Sequence, residues 1–480
     1  MNSSLTYKTL RVTLYLNLLS ILFADERLYL KQAKTLENKT IKGQSIKFIS
    51  GDVIFTKGDL ILNCEKGRHY EKTELAVLFK NVSAIQEQRT LTCDTIKFFS
   101  KEDRLLSIGS SHVWDQDYDL KADSITVFTE QDSGVALGNV ILNQKGQIIK
   151  ANRIEYQKDK EQDGVSYTAI GNVIIEDSSR TANCGKARYD RKNEVTTLEI
   201  NPIITENDRV LSGSKIILQY NEEELDRLHI PKQALAITPI EGYQESIVDS
   251  LKTGDTLRFK DRMEGSQLTS YFKNGNLDSL RIVGMAKTLY HVFEDSIYQG
   301  KNNASGDTII MMFLEDELDV LKVIGGSEGK YIPDSISNDV DQPIIYSANY
   351  IKYRLKDDES DFEGKVKIKH DRTDLDAGFV SVNWQNNLLN ALPRLASDTI
   401  SEPLYPVIKE DGRDPMTGDA MIYNLKTRKG KITKGQTKAD DGYYTGRKIR
   451  NESQKVIFIE NSTYTTCDLD TAHFHFESKK

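Results

Sequence analysis

The chain has 480 residues, enough for several ordinary domains or one long stack of repeats. Hydrophobic residues make up 38% and charged residues 28%, which allows a core but excludes a lipid-embedded helical bundle. A net charge of −8, with no dense Lys/Arg run, argues against a nucleic-acid partner.

The N-terminus carries a targeting signal. Lys8 and Arg11 precede the apolar run Val12 to Ala24, which stops at Asp25-Glu26-Arg27. A basic flank followed by about a dozen apolar residues is the layout of a secretory signal peptide, residues 1–24, and is too short for a comfortable membrane span. Leu22 stands where a small residue is usual before a cleavage site, so a retained anchor is the alternative. No later stretch is long and apolar enough to cross a bilayer as a helix. Export places the chain where disulfides form, yet four cysteines do not staple a chain of this length.

Past about residue 40 one phrase keeps returning. It reads Leu62-Asn63-Cys64, Leu91-Thr92-Cys93, Leu120-Lys121-Ala122, Ile149-Lys150-Ala151, Ala182-Asn183-Cys184 and Leu211-Ser212-Gly213, and its small residue recurs after 29, 29, 29, 33 and 29 residues. Gly51, Gly109, Gly138 and Gly171 stand 13 residues ahead of it, with Lys80 and Ile200 in the other two copies. Val53, Val82, Val140 and Val173 follow that marker by two. A fixed period of this size marks stacked repeats. The charged stretch Lys158 to Asp163 lengthens one turn and accounts for the single 33-residue step.

Within a unit, segments such as Asp94-Thr95-Ile96-Lys97-Phe98 and Asn152-Arg153-Ile154-Glu155-Tyr156 alternate apolar with polar, the period of a half-buried strand. Turn residues separate them, as at Lys57-Gly58-Asp59 and Gln144-Lys145-Gly146. Two to three short strands fit each unit. Helical periodicity is almost absent, Glu222 to Leu228 being the best candidate. Past Pro231 the register loosens and then returns, with Ala348 and Ala377 again 29 apart and Gly364 13 ahead of the second. Ser327 to Pro343, polar with two prolines, reads as a linker or long loop. Leu392 to Pro415 holds four of the nine prolines, so sheet pairing is expected to break there.

One unit alone cannot bury its apolar face. Stacking would bring Val53, Leu62, Val82, Leu91, Ile96, Leu120, Ile125, Val140, Ile149, Ile154 and Val173 to an inner face, with Lys, Asp, Thr, Asn and Glu outside. Two designs fit: a closed solenoid filled by its own side chains, and a folded sheet left open along one seam as an apolar groove. The second suits a ligand with long hydrocarbon parts, each buried CH₂ gaining about 0.8 kcal/mol. Cys64, Cys93 and Cys184 occupy the small-residue position and read as small buried side chains. A Cys64–Cys93 bridge needs their Cα atoms within about 7 Å. Cys467 lies outside the register.

Catalytic and metal-binding chemistry is hard to find. The seven histidines are scattered, and His473-Phe474-His475 reads as an alternating strand tail. No Gly-x-Ser-x-Gly, Walker-type or His-Glu-x-x-His motif occurs. Asp115/Asp117 and Asp374/Asp376 lie in charged turns. Neither enzyme activity, cofactor nor metal is expected, and a polysaccharide-degrading β-helix lacks its stacked acid cluster.

The phrase Gly138-Asn139-Val140 … Ile149-Lys150-Ala151-Asn152-Arg153-Ile154-Glu155-Tyr156, taken up again at Gly171-Asn172-Val173, resembles the "Gly-Asn-Val … Leu-x-Ala-Asp-x-Ile-x-Tyr" pattern of the OstA-like lipopolysaccharide-transport family. The resemblance covers about 40–220 well and 240–390 more loosely. It implies an all-β fold, a repetitive, elongated β-jellyroll slab open along one seam. It also implies a periplasmic carrier of lipid A acyl chains, at the outer membrane, that joins other transport proteins through its terminal strand edges. Gly418-Asp419-Ala420-Met421-Ile422-Tyr423-Asn424, Gly442-Tyr443-Tyr444-Thr445-Gly446 and Tyr464-Thr465-Thr466-Cys467-Asp468 resemble the end of the periplasmic domain in the LptD group. There the matching cysteine forms a disulfide to a following barrel, which makes Cys467 the disulfide candidate. The chain ends at Lys480, leaving a truncated or split reading frame and a barrel-less relative as alternatives.

The expected organisation is therefore a signal peptide (1–24), OstA-like repeats (25–225), divergent repeats (226–335) and an LptD periplasmic-type region (344–480). The eleven inward residues are the expected lipid-groove lining. The competing reading is a secreted structural or adhesive solenoid with a self-filled core.

Overall fold

The computed structural model describes residues 28–479, apart from 117, 129–130, 132, 145, 160–163, 178–179, 207, 223, 245–246, 249–250, 253–255, 295, 316, 337–339, 395–402, 440, 454–455 and 469–471. The expected signal peptide lies outside the described residues. The chain forms two compact units, one ending at Pro231 and one running from Lys232. Among the described residues the structure is almost entirely β.

The first unit contains β1 (Tyr29–Gln32), β2 (Thr35–Ile41), β3 (Gln44–Lys57), β4 (Leu60–Tyr70), β5 (Leu75–Gln86), β6 (Arg89–Phe99), β7 (Arg104–Trp114), β8 (Tyr118–Phe128), β9 (Ser133–Gln144), β10 (Gln147–Asp159), β11 (Gly164–Glu176) and β12 (Arg180–Asp190). Shorter strands follow up to Glu224–Ile230. From β3 to β12 each strand pairs antiparallel with the next. The 29-residue period is thus one hairpin of two long strands.

Every long strand turns a corner midway. Gly51-Asp52, Lys80-Asn81, Gly109-Ser110, Gly138-Asn139 and Gly171-Asn172 are consecutive pairs at positive φ, between 43° and 81°. At each of them the ladder skips, as between Ile108 and Ser111. The neighbouring strand meets the pair with one residue, so each corner is a β-bulge that bends the chain. At Gly138 (φ 77°) the single residue opposite is Asp123, whose carboxylate lies where a Cβ would be. Asn139 then donates from Nδ2 to that carboxylate at 3.1 Å. The "Gly-Asn" and "Ala-Asp" phrases are two sides of one corner.

Inward side chains align across the strands in rows. Beside the corner, Val53 opposes Cys64, Val82 opposes Cys93, Val140 opposes Ala151 and Val173 opposes Cys184. The small residue of the phrase exists because its cross-strand neighbour is branched. The next row runs Leu62, Ala84, Leu91, Val113, Leu120, Leu142, Ile149, Ile175 and Ala182. Beyond the corner a third row runs Leu78, Ile96, Ser107, Ile125, Ala136, Ile154 and Ala169. Leu62, Leu78, Ile96, Leu120 and Leu142 have no exposed surface. A single sheet leaves each face open, so the two halves of the bent strands must cover one another, as in the folded slab expected from the sequence. Lys57, at the end of β3, makes the closure visible. Its Nζ lies 3.2 Å from Asp103 Oδ1 beyond β6 and 5.4 Å from the centre of the Phe98 ring.

The second unit repeats the device in longer strands, including Asn276–Glu294, Ile297–Leu314, Glu317–Pro333, Ile344–Arg354, Glu359–His370 and Thr373–Asn383. Its corners are Gly284-Met285, Gly325-Gly326 and Gly364-Lys365, again pairs at positive φ. Two expectations are corrected. Ser327 to Pro333 is not loop but the end of a strand; it is polar and small because Ser327 sits at the corner and Gly329 lies under the Tyr346 ring. Glu222 to Leu228 is not helical: a bulge in the pairing of Tyr220 with Leu225 and Gln219 with Arg227 gives buried Leu225 and Leu228 their three-residue spacing. Proline does thin the sheet after Leu392: the described residues there hold only the Arg394–Leu404 bridge before Val407–Glu410 resumes.

Candidate functional site

All eleven residues expected to line the groove face the interior of the first unit. Leu91 is the most exposed of them, at 7%. Val53, Leu62, Val82, Leu91, Leu120, Val140, Ile149 and Val173 lie on one half of the bent strands, and Ile96, Ile125 and Ile154 on the other. Sequence reasoning missed Phe55, Leu78, Phe98 and Leu142, all buried beside them. The signal was present, since Phe55 and Phe98 stand two residues from Val53 and Ile96 and continue the alternation.

The interior is graded from corner to hairpin tips. Small side chains lie at the corner and aliphatic ones in the middle. At the tips the inward side chains turn polar or aromatic. One half presents Lys57, Tyr118, Gln144, Gln147 and Arg180, all buried, and the other presents Phe98, Tyr156, Tyr167 and Tyr189. Arg180 Nε pairs with Glu206 Oε1 at 2.7 Å and Arg89 Nε with Asp115 Oδ2 at 3.6 Å. The Tyr156 and Tyr167 rings lie 5.5 Å apart, those of Tyr167 and Tyr189 6.3 Å. Burial pushes the hydroxyls of Tyr118 and Tyr167 well above the usual phenol range, and Tyr156, then Tyr189 and Tyr118, push Tyr167 the same way against the pull of Arg191. Both stay neutral donors. This polar rim was not recognised from the sequence, because each member looks like an ordinary residue flanking a turn.

All four cysteines are free thiols. Cys64 and Cys93 lie on β4 and β6 with β5 between them, two strand spacings or about 9.6 Å apart, so no bridge forms. Burial pushes the thiols of Cys64, Cys93 and Cys184 up to about 11, leaving them protonated and unreactive. Cys467 is partly exposed after the strand Val456–Thr465; its N–H donates to Thr465 Oγ1 at 3.0 Å and its Sγ lies 3.7 Å from His473 Nδ1.

In the second unit a cavity of about 860 Å³ lies over the sheet between Arg262 and Lys409. Its walls include exposed side chains such as Lys287, Ile345 and Lys367, and the pairs Arg262–Glu264, Lys369–Asp374 and Lys409–Asp376 line it. None of the eleven expected residues lines it. Strands with exposed apolar side chains lie near both ends of the described chain: Tyr29, Leu36 and Ile41 on β1 and β2, and Phe458 and Phe476 on Val456–Thr465 and Phe476–Ser478.

Among the described residues the first unit is a meander bent along one line and apolar within. Comparison with protein families is specific: residues 66–161 and 119–224 each match the family described as LptA/(LptD N-terminal domain) LPS transport protein. The matched stretch is about a third of the chain and lies wholly within the first unit. The solved structure of LptH, the LptA-homologous periplasmic component of the lipopolysaccharide transport device of Pseudomonas aeruginosa, is similar over 30% of this chain and 94% of that one, at 14% identity and a TM-score of 0.21. No curated protein matches the chain.

Proposed function

We propose that the protein is a non-enzymatic, periplasmic lipopolysaccharide-transport component at the outer membrane, whose first unit holds lipid A acyl chains between the two halves of its bent sheet. The observation that carries this is the continuous inward row from Leu62 through Leu91, Leu120 and Ile149, inside the stretch that matches the transport family. The interior is filled by its own side chains, so a ligand enters when the hairpin tips part and the Lys57–Asp103 contact opens. Exposed terminal strands join neighbouring transport proteins by adding strands to the sheet, main-chain hydrogen bonds giving the affinity.

Photo-crosslinkers at Leu91 or Ile149 are expected to capture lipopolysaccharide, and those at the outward Lys121 or Asn143 to capture none. Capture from the outward positions alone overturns the reading. The near-complete burial of the inward rows favours one competitor, a structural solenoid with a dry core. It predicts no capture from any of the four positions.

A further inference from the structure

We propose that Tyr118, Gln144 and Tyr167 form a hydrogen-bonding rail at the mouth of the first unit, which selects amphiphiles carrying N–H and O–H groups where their acyl chains join the head. The proposal rests on the carrier reading above and adds to it which lipids are accepted.

Tyr118 and Gln144 sit directly opposite one another on β8 and β9, at the hairpin tips. Tyr167 on β11 belongs to the other half of the bent sheet, between Tyr156 and Tyr189. The three are buried, at 4%, 6% and 1% exposure. Yet Tyr118 Oη, Gln144 Oε1 and Tyr167 Oη have no hydrogen-bond partner, and the buried Gln86 Oε1, further along the same rim, also lacks one. A buried polar atom without a partner is unfavourable, so four along one mouth need an explanation that packing does not supply. Neighbouring charged groups are engaged elsewhere: Lys57 with Asp103, Arg89 with Asp115, Arg180 with Glu206. The rim therefore offers neutral hydrogen bonds rather than a charge site.

Chemistry narrows the ligand. Glutamine carbonyls accept and require a donor, while tyrosine hydroxyls donate to an acceptor such as an acyl carbonyl. With chains along the aliphatic rows, the rail meets the junction of chain and head. An N-acylated, hydroxyacylated amino sugar presents N–H, O–H and C=O groups there. A glycerophospholipid presents ester carbonyls only and leaves Gln86 and Gln144 unpaired. A site built to hydrogen-bond such groups rejects the analogue that lacks them.

The test uses the full chain with Tyr118→Phe, Gln144→Met and Tyr167→Phe, titrated with a fluorescent N-(3-hydroxyacyl)glucosamine lipid, a fatty acid of equal chain length and phosphatidylglycerol. Each variant is expected to bind the amino-sugar lipid roughly tenfold more weakly, the equivalent of one lost hydrogen bond; Gln144→Met is expected to bind the other two unchanged, whereas Tyr118→Phe and Tyr167→Phe weaken these carbonyl-bearing lipids as well. Melting temperature is expected to hold or rise, because each change removes a buried polar atom with no partner; a merely structural role would lower it. Variants that bind the amino-sugar lipid like the parent overturn the rail and leave the carrier reading intact. A parent that binds none of the three overturns both.

Discussion

The two units share a device but not a rhythm. In the first, hairpins of two 11- to 14-residue strands repeat from β3 to β12, with Val set against Cys or Ala beside four of the five corners and Ser111 against Ala122 at the fifth. In the second, three consecutive strands of 19, 18 and 17 residues precede strands of 11 and 12, and the corners at Gly284, Gly325 and Gly364 keep their positive φ while the flanking phrases drift. Corner geometry therefore needs only the two left-handed residues and a single residue opposite. The strict 29-residue register is a separate requirement, set by continuous inward rows.

The largest expected effect tests the rows. Leu120→Ala empties a site with no exposed surface and should destabilise the first unit by about 2–5 kcal/mol. The chain has two tryptophans, Trp114 in the first unit and Trp384 in the second. Chemical denaturation of Leu120→Ala in a Trp384→Phe background should show the loss through Trp114. The matching Ile351→Ala, read through Trp384 in a Trp114→Phe background, tests whether the looser unit depends as heavily on a fully buried aliphatic.

Corners come next. Gly138→Ala puts a Cβ into the Asp123 carboxylate at φ 77°, and Gly364→Ala puts one against the Asn349 amide at φ 75°. Both should cost about 1–3 kcal/mol despite the different registers. Gly146→Ala, at φ 82° in open space, carries the backbone strain alone and should cost about 1 kcal/mol. Equal costs at all three positions would remove the opposing residue from the account.

A pH effect is expected in the second unit. In the second, His370 is buried with neither ring nitrogen hydrogen-bonded. Burial and then Arg428 lower its pKa below the ordinary 6.5, against the weaker pull of Asp371 and Asp341. With the folded value depressed, the unfolded chain takes up the proton first. His370 therefore costs the fold nothing above 6.5, and stability declines as pH falls through 6.5 towards the folded value. Urea midpoints read through Trp384 should fall between pH 7.5 and 5, and His370→Phe should flatten that part of the profile. The smallest effect is chemical: iodoacetamide at pH 8 should label Cys467 readily and Cys64, Cys93 and Cys184 only on unfolding, as counted by intact mass.

Much of the first unit was legible because its constraints are local and repeated. Alternation marked the inward face, and Val beside Cys or Ala marked the row at the corner. The corner itself was hidden, since Gly-Asn reads equally well as a turn between short strands, and only the ladder reveals one long strand bent in two. Near the end of the first unit Leu225 and Leu228 imitated a helix through a bulge, and in the second Gly329, small to admit Tyr346, imitated a loop. The polar rim was invisible for another reason: Tyr118, Gln144 and Tyr167 come from three strands and meet only when the halves close.

The central claim is that the interior of the first unit opens to hold acyl chains. Native mass spectrometry of the full chain purified from the envelope of a lipopolysaccharide-producing host tests it directly. The account predicts a bound population heavier by the mass of lipopolysaccharide or its lipid A, lost when Leu91 and Ile149 are both replaced by Asp while the fold persists by circular dichroism. A parent that carries the mass of the polypeptide alone, and stays so after incubation with lipid A, would contradict it and leave a self-filled structural slab.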